Sequence, residues 1–153
     1  MEFTSTEQVI KKAIEKEIEA CNLYTKVASL AKDEAAENML TNLAAQEQEH
    51  RQKLENLRPE ETESIDMGKV SSEVVTSHPV AKPLSEDADI QEIVVFAIKR
   101  EEAAEKFYLT IADGVANQKL KDLFLYLAKE ENKHKTSLNQ TFWDITYTDR
   151  KKY

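Results

Sequence analysis

Apolar residues recur along the first sixty positions at steps of three and four. Val9, Ile10, Ala13, Ile14, Ile18, Cys21, Tyr24, Val27, Ala28 and Ala31 make one such series, the spacing of a helix that buries a single face. Thr4, with Glu7 three residues later, offers a capping box for its start. The series breaks at Lys32-Asp33, where Asp33 suits the cap of a second helix. It resumes with Ala36, Met39, Leu40, Leu43, Ala44, Leu54 and Leu57, and Pro59 is expected to end it. Residues 58–86 hold all three prolines and one of the two glycines among many Ser, Thr and Glu, and read as one long connection. Ile90, Ile93, Val94, Ala97, Ile98, Ala104, Phe107, Tyr108, Ile111 and Ala112 predict a third helix that opens at Asp89 and stops at Gly114. Asn117 suits the cap of a fourth, which Leu120, Leu123, Phe124, Leu127, Ala128 and Leu138 carry to about residue 142. The polar end, 148–153, is expected to fray.

Composition supports long helices and little else. Two Gly and three Pro in 153 residues are too few for a sandwich or barrel, which turns every ~8–12 residues. The pattern predicts one all-α domain over residues 1–153. Twenty-nine acidic against 21 basic residues leave a net charge of −8, which gives no electrostatic reason to bind nucleic acid or anionic lipid. The longest apolar run, 93–98, is six residues, where a membrane span needs ~20. The start has no basic-then-apolar leader pattern. The single cysteine, Cys21, permits no internal disulfide and no rubredoxin or zinc-ribbon module in this sequence, and a reducing cytoplasm is expected.

The chain repeats. Shifted by 84 residues and without a gap, Ile14 falls on Ile98, Glu17 on Glu101, Ala20 on Ala104, Tyr24 on Tyr108 and Ala28 on Ala112. Leu43 falls on Leu127, Ala44 on Ala128, Glu47 on Glu131, His50 on His134 and Leu54 on Leu138. The halves are two copies of one helical hairpin. Glu17 and Glu47 each stand 15 residues from the turn near residue 32, and Glu101 and Glu131 each stand 15 from residue 116. Equal distance from an antiparallel turn means equal height, ~22 Å at ~1.5 Å per residue. His50 and His134 follow Glu47 and Glu131 by three residues and share their helix faces.

Packed face to face, the hairpins would gather four Glu and two His into one layer. Each Glu lies among Ile, Ala, Leu and Tyr at core spacing, and four carboxylates cannot be buried together unpaired. Two divalent cations would balance them. Oxygen and imidazole donors suit iron or manganese, and zinc less selectively. One Glu-x-x-His is weak evidence. Two copies on repeated hairpins, each with a Glu 30 residues upstream, are strong. A merely solvated face repeated by duplication would not set its Glu on the apolar stripe.

These residues resemble the ferritin-like di-iron carboxylate proteins, and among them the rubrerythrin group. The resemblance rests on Ala13-Ile14-Glu15-Lys16-Glu17 through Tyr24, Glu47-Gln48-Glu49-His50, Ala97-Ile98-Lys99-Arg100-Glu101 through Tyr108, and Glu131-Asn132-Lys133-His134, and spans nearly all of residues 5–142. It implies a ferritin-like four-helix bundle running up-down-down-up, with residues 58–86 crossing over between helices two and three. It implies two iron ions, with Glu17 and Glu101 as terminal ligands, Glu47 and Glu131 as bridging carboxylates, and His50 and His134 as terminal imidazoles. Tyr24 and Tyr108 are implied as active-site residues that hydrogen-bond a ligand carboxylate; ordinary core tyrosine is the other reading.

The implied activity is a di-iron, or di-manganese, carboxylate oxidoreductase. It would reduce peroxide or oxygen with electrons from an external donor such as a separate rubredoxin-like protein, as a cytoplasmic homodimer. A ferroxidase or iron-handling protein, and a metal-stabilised bundle without catalysis, are the alternatives. The sequence departs from the group at Ala104, where many members carry a further Glu, and its mirror is Ala20. Gln48 stands where a haem-binding Met follows the bridging Glu in bacterioferritins, so no haem is expected. Cys21 reads as a small core residue and His78 as a loop residue. Trp143 is expected to pack on the bundle or a partner, and the Glu15-Lys16 and Lys129-Glu130 runs read as solvated helix faces with i,i+4 pairs.

Overall fold

A computed structural model of the chain describes residues 6–62, 65 and 85–151. The expected Thr4 cap and His78 lie outside the described residues. Helices α1 (Thr6–Leu30), α2 (Glu34–Glu55), α3 (Pro59–Thr62), α4 (Ile90–Asp113) and α5 (Gln118–Lys151) follow in order. Caps set the predicted boundaries. The Asp33 side chain accepts from the Ala35 N–H at 3.1 Å, Asp89 from the Glu92 N–H at 2.8 Å, and Asn117 from the Leu120 N–H at 3.0 Å. Each satisfies an amide left free at a helix start. Gly114 ends α4 with φ −93°, so the stop does not use the left-handed conformation. Its N–H bonds to the Ile111 carbonyl at 2.9 Å, and Val115 then turns out to form an antiparallel bridge with Ile65.

α1 pairs with α2 and α4 with α5, giving the two hairpins of the repeat. Two apolar clusters show how they meet. One joins the start of α1 (Val9, Ala13) and the end of α2 (Leu54) to the end of α4 (Ile111, Ala112) and the start of α5 (Leu120, Phe124). The other joins Val27, Leu40 and Leu43, at the α1–α2 turn, to Ile93 and Val94 of α4 and Leu138 of α5. The hairpins are therefore inverted relative to each other. α1 and α5 run one way, and α2 and α4 the other. The chain leaves α2 at one end of the bundle and enters α4 at the other, ~37 Å away for a 25-residue helix. Residues 66–84, which make that crossing, lie outside the described residues.

Three expectations change. Pro59 does not simply end α2. It opens the short helix α3, where a missing N–H costs nothing, and Ile65 beyond it is buried in the core. The connection is thus anchored before it crosses. The fourth helix does not end near residue 142 but runs to Lys151. Nothing from 143 onward breaks a helix, and Phe142 and Ile145 continue its apolar face. Of the two places expected for Trp143, the bundle is not the one it takes: it is 63% exposed, with its ring against the edge of Phe142 at 5.9 Å. Cys21 sits half-buried at the margin of the second cluster. No helix among the described residues is long and apolar enough to cross a membrane.

The anchoring of the connection is open to test. Ile65→Ala removes a buried branched side chain from the first cluster. It should lower the unfolding free energy by about 2–4 kcal/mol in urea denaturation; an unchanged midpoint would mean that Ile65 is not held there.

Candidate metal centre

The layer between the two apolar clusters holds Glu17, Glu47, His50, Glu101, Glu131 and His134, each no more than 2% exposed. Antiparallel pairing within each hairpin brings each pair of glutamates level, and inversion of one hairpin on the other brings the two pairs together. The donor atoms fall into two groups, each with all atoms within 4.8 Å of one another. One is Glu17, Glu47, His50 and Glu131; the other is Glu47, Glu101, Glu131 and His134. Glu47 and Glu131 belong to both. The imidazole rings of His50 and His134 are parallel within 10°, with centroids 5.7 Å apart.

The histidines face the opposite hairpin. His50 Nδ1 lies 3.0 Å from Glu131 Oε1 but 3.8 Å from Glu47 Oε1 on its own helix. His134 Nδ1 lies 2.6 Å from Glu47 Oε1 and 4.0 Å from Glu131 Oε1. Close as they are, neither short approach is a hydrogen bond. Among the described residues, one atom from each of the six side chains has no hydrogen-bond partner: Glu17 Oε2, Glu47 Oε1, His50 Nδ1, Glu101 Oε2, Glu131 Oε1 and His134 Nδ1. At His134 the reason is visible. Its Nε2 contacts Gln46 Oε1 at 2.7 Å. An amide oxygen only accepts, so the ring proton is on Nε2 and the Nδ1 lone pair points at a carboxylate oxygen. Two acceptors face each other across a gap that needs a cation or a proton. Buried donor atoms of oxygen and imidazole nitrogen, unpaired and converging, fit a divalent metal pair.

The electrostatics of the metal-free layer tell the same story. Burial, then the charges of Glu131 and Glu17, hold the Glu47 carboxyl well above the usual range. Burial and Glu131 raise Glu101 likewise. Burial and the charge of Glu17 push Glu131 up to about 8. Glu17 goes the other way. Burial raises it, but polar contact with Glu47 and His50 and the hydrogen bond from Tyr108 outweigh that and hold it low. Burial, with His50 alongside, takes His134 down to about 4. Protons occupy the layer where cations would otherwise stand.

Tyr24 and Tyr108 reach across the bundle. The Tyr24 hydroxyl donates to Glu101 Oε1 and the Tyr108 hydroxyl to Glu17 Oε1, each on the other hairpin. Both rings are almost wholly buried. Burial and the carboxylates raise both phenol pKa values well above normal, so the phenols stay protonated and donate.

Two residues beside the centre escaped the sequence reading. Gln46 precedes Glu47 but falls on Glu130 in the repeat, so duplication did not mark it. The sequence places Lys16 on a solvated face, yet it is only 9% exposed and lies over the Phe107 ring at 5.2 Å. Burial, with Lys12 next, pulls its amine down to about 8. A flexible stem lets a lysine cover apolar surface that its sequence position does not reveal. The repeat held a signal, because Lys16 falls on Arg100, each directly before a buried Glu. A larger groove of about 490 Å³ lies between the α1–α2 turn and the later part of α5, and none of the six residues lines it.

The rubrerythrin family model matches residues 8–141. Among solved structures, a hypothetical protein from Pyrococcus furiosus is similar in fold, with a TM-score of 0.68 and 27% sequence identity over 91% of this chain and 89% of that one. No curated protein matches the chain.

The raised carboxyls set a pH dependence for the metal-free protein. Glu47, Glu101 and Glu131 keep protons in the folded state that they lose when unfolded, so stability falls as pH rises toward about 8. His134 acts in the opposite sense, but only below its ordinary value of 6.5. Glu17 adds stability that is already complete above its ordinary 4.5. Between pH 6.5 and 7 only the carboxyls act, and nearer 8 the lowered Lys16 amine begins to act in the opposite sense. Chelator-treated protein should lose roughly 1.4 kcal/mol per pH unit for each carboxyl involved, and metal-loaded protein should not. Urea midpoints across that window check this, and a flat or rising metal-free profile would contradict it.

Proposed function

The chain belongs to the rubrerythrin family, a ferritin-like di-iron carboxylate family, and from that membership we propose that it is a di-iron carboxylate oxidoreductase that reduces peroxide. The observation that carries the reading is the set of six buried donor atoms without partners, arranged as two groups with Glu47 and Glu131 in common. Glu17 and His50 would complete one metal position, and Glu101 and His134 the other. A bound iron pair supplies the reversible electron chemistry that amino-acid side chains lack. Hydrogen peroxide would take up two electrons and two protons, its O–O bond would break, and two waters would leave. Dioxygen is the alternative acceptor.

The protein's own groups have defined tasks in this reading. The four carboxylates neutralise the cations, so that a low-dielectric layer can hold them. Tyr24 and Tyr108 fix the rotamers of Glu101 and Glu17 by donating to Oε1 and leave Oε2 of each without a partner. Gln46 holds the His134 proton on Nε2 and leaves Nδ1 free to bind. Apolar residues above and below the layer limit water to what enters from the side. Electrons would come from a reductant outside this bundle, whose single cysteine cannot build a rubredoxin-type centre. The protein works as a homodimer in the cytoplasm.

Anaerobic loading with ferrous iron should give two iron ions per chain, and peroxide should then oxidise the reduced centre. Glu47→Ala with Glu131→Ala removes both shared carboxylates and should abolish metal retention and turnover together, read by metal analysis and stopped-flow absorbance. A double variant that keeps two irons and reacts normally would end the proposal. Tyr108→Phe should keep its iron but react roughly tenfold more slowly or bind iron correspondingly less tightly.

A further inference from the structure

The end of the bundle at the α1–α2 turn leaves apolar surface uncovered. The groove of about 490 Å³ there is as large as a built binding site. Leu30, Met39, Ile90 and Ile145 give it an apolar lining, and Gln140 and Thr141 of α5 a polar one. The helix beside it is also too long for its hairpin. Ile90 stands 26 residues before residue 116, so its level on α5 is residue 142, and α5 runs nine residues further, to Lys151, about 13 Å at 1.5 Å per residue. Of the described side chains on that stretch, only Ile145 packs on an apolar cluster. Helical turns without a packed face are marginal. Trp143 and Tyr147 stand on this stretch, 63% and 61% exposed, the most exposed large apolar side chains among the described residues. Four residues apart, they share one face. They follow Gln140 and Asp144, which line the groove, by three, so their face adjoins its rim. Neither ring lines the groove of its own chain.

We propose that this end of the bundle is the interface of a two-fold homodimer, in which Trp143 of each copy enters the groove of the other with Tyr147 beside it. The proposal gives the homodimer named above its contact surface, and it does not depend on the chemistry of the metal centre. Self-complementarity carries it. A knob and a hole on one patch of one chain are what a two-fold axis uses, since each copy then gives once and receives once and the assembly closes. Size agrees. An aromatic side chain offers ~150–250 Å² for burial, so the four rings of a pair, exposed as they are, would bury roughly 500 Å², and the surface opposite them as much again. Roughly 1,000 Å² is the lower end for a specific interface, which makes this a dimer that dilution separates. Charge agrees too. Lys32 and Asp33 at the turn and Asp144 on α5 are the charged groups of the groove. Asp33 caps α2 and Asp144 accepts from Gln140, while Lys32 makes no ion pair among the described residues. The two-fold axis lays the turn of one copy against α5 of the other, so Lys32 meets the partner's Asp144 twice, which fixes the register.

The chain has one tryptophan, so its emission reports on the interface directly. Sedimentation velocity on the full chain as purified should show a dimer that separates on dilution through the roughly micromolar range. Over the same range Trp143 emission should move to the red and open to acrylamide quenching. Trp143→Ala should raise the dissociation constant at least about tenfold. Ala35→Phe sets a ring into the groove from an exposed position on α2, leaves Trp143 in place, and should weaken the dimer to a similar degree. Asp144→Lys should weaken it as well, and adding Lys32→Glu to Asp144→Lys should restore it. A chain that stays monomeric at every concentration would overturn the proposal, whether its groove is empty or filled by its own residues. A dimer that Trp143→Ala and Ala35→Phe leave unchanged would overturn this interface and place the homodimer on another face. Neither result touches the oxidoreductase reading, which iron content and reaction with peroxide decide separately.

Discussion

Four carboxylates share one buried layer, and the rest of the molecule follows from that. At 4 Å, two like charges repel by about 4 kcal/mol even at an effective dielectric of 20. Glu47 and Glu131 lie within reach of each other and of both imidazoles, and Glu17 and Glu101 each join them beside one imidazole. Such a layer is tolerable in two states. Either protons neutralise part of it, as the raised Glu47, Glu101 and Glu131 carboxyls indicate, or cations do. The first state binds protons that the second must release, so metal affinity and pH are linked through the same side chains.

The layer can exist because it is held from outside. Apolar clusters at both ends of the bundle, one around Phe107, Phe124 and Leu127 and one around Leu40, Ile93 and Leu138, supply the stability that the charged middle subtracts. The crosswise hydrogen bonds of Tyr24 and Tyr108 tie each hairpin's outer glutamate to the other hairpin. Duplication makes the ties reciprocal. A hairpin alone offers two carboxylates and one imidazole; only the inverted pair closes the set and lets Glu47 and Glu131 lie between both positions.

Much of this was legible in the sequence, and the reasons are local. Helical period gave the four long helices, and Asp33, Asp89 and Asn117 gave three of their starts. A gapless repeat with equal distances to each turn gave the height of every Glu and His in the layer. What stayed hidden depends on rotation between helices or on distant partners. Spacing puts Tyr108 on the face of Glu101, but only the packing of the hairpins sends its hydroxyl to Glu17. The Ile65–Val115 bridge joins residues 50 positions apart, and no local pattern announces it. The run past residue 142 is hidden because the sequence there turns polar, whereas only a breaker or a lost apolar face ends a helix. Lys16 stays hidden because burial of a lysine follows from its stem and the ring beneath it, not from its charge.

The central claim is that the inverted hairpins enclose a pair of cations in this layer. Anomalous diffraction at the iron edge, from crystals of protein loaded anaerobically with ferrous iron, tests it most directly. The account predicts two peaks about 3.5–4 Å apart, one near His50 Nδ1 and one near His134 Nδ1, with Glu47 and Glu131 between them. No peak inside the bundle, or iron found only on its outer surface, would contradict it.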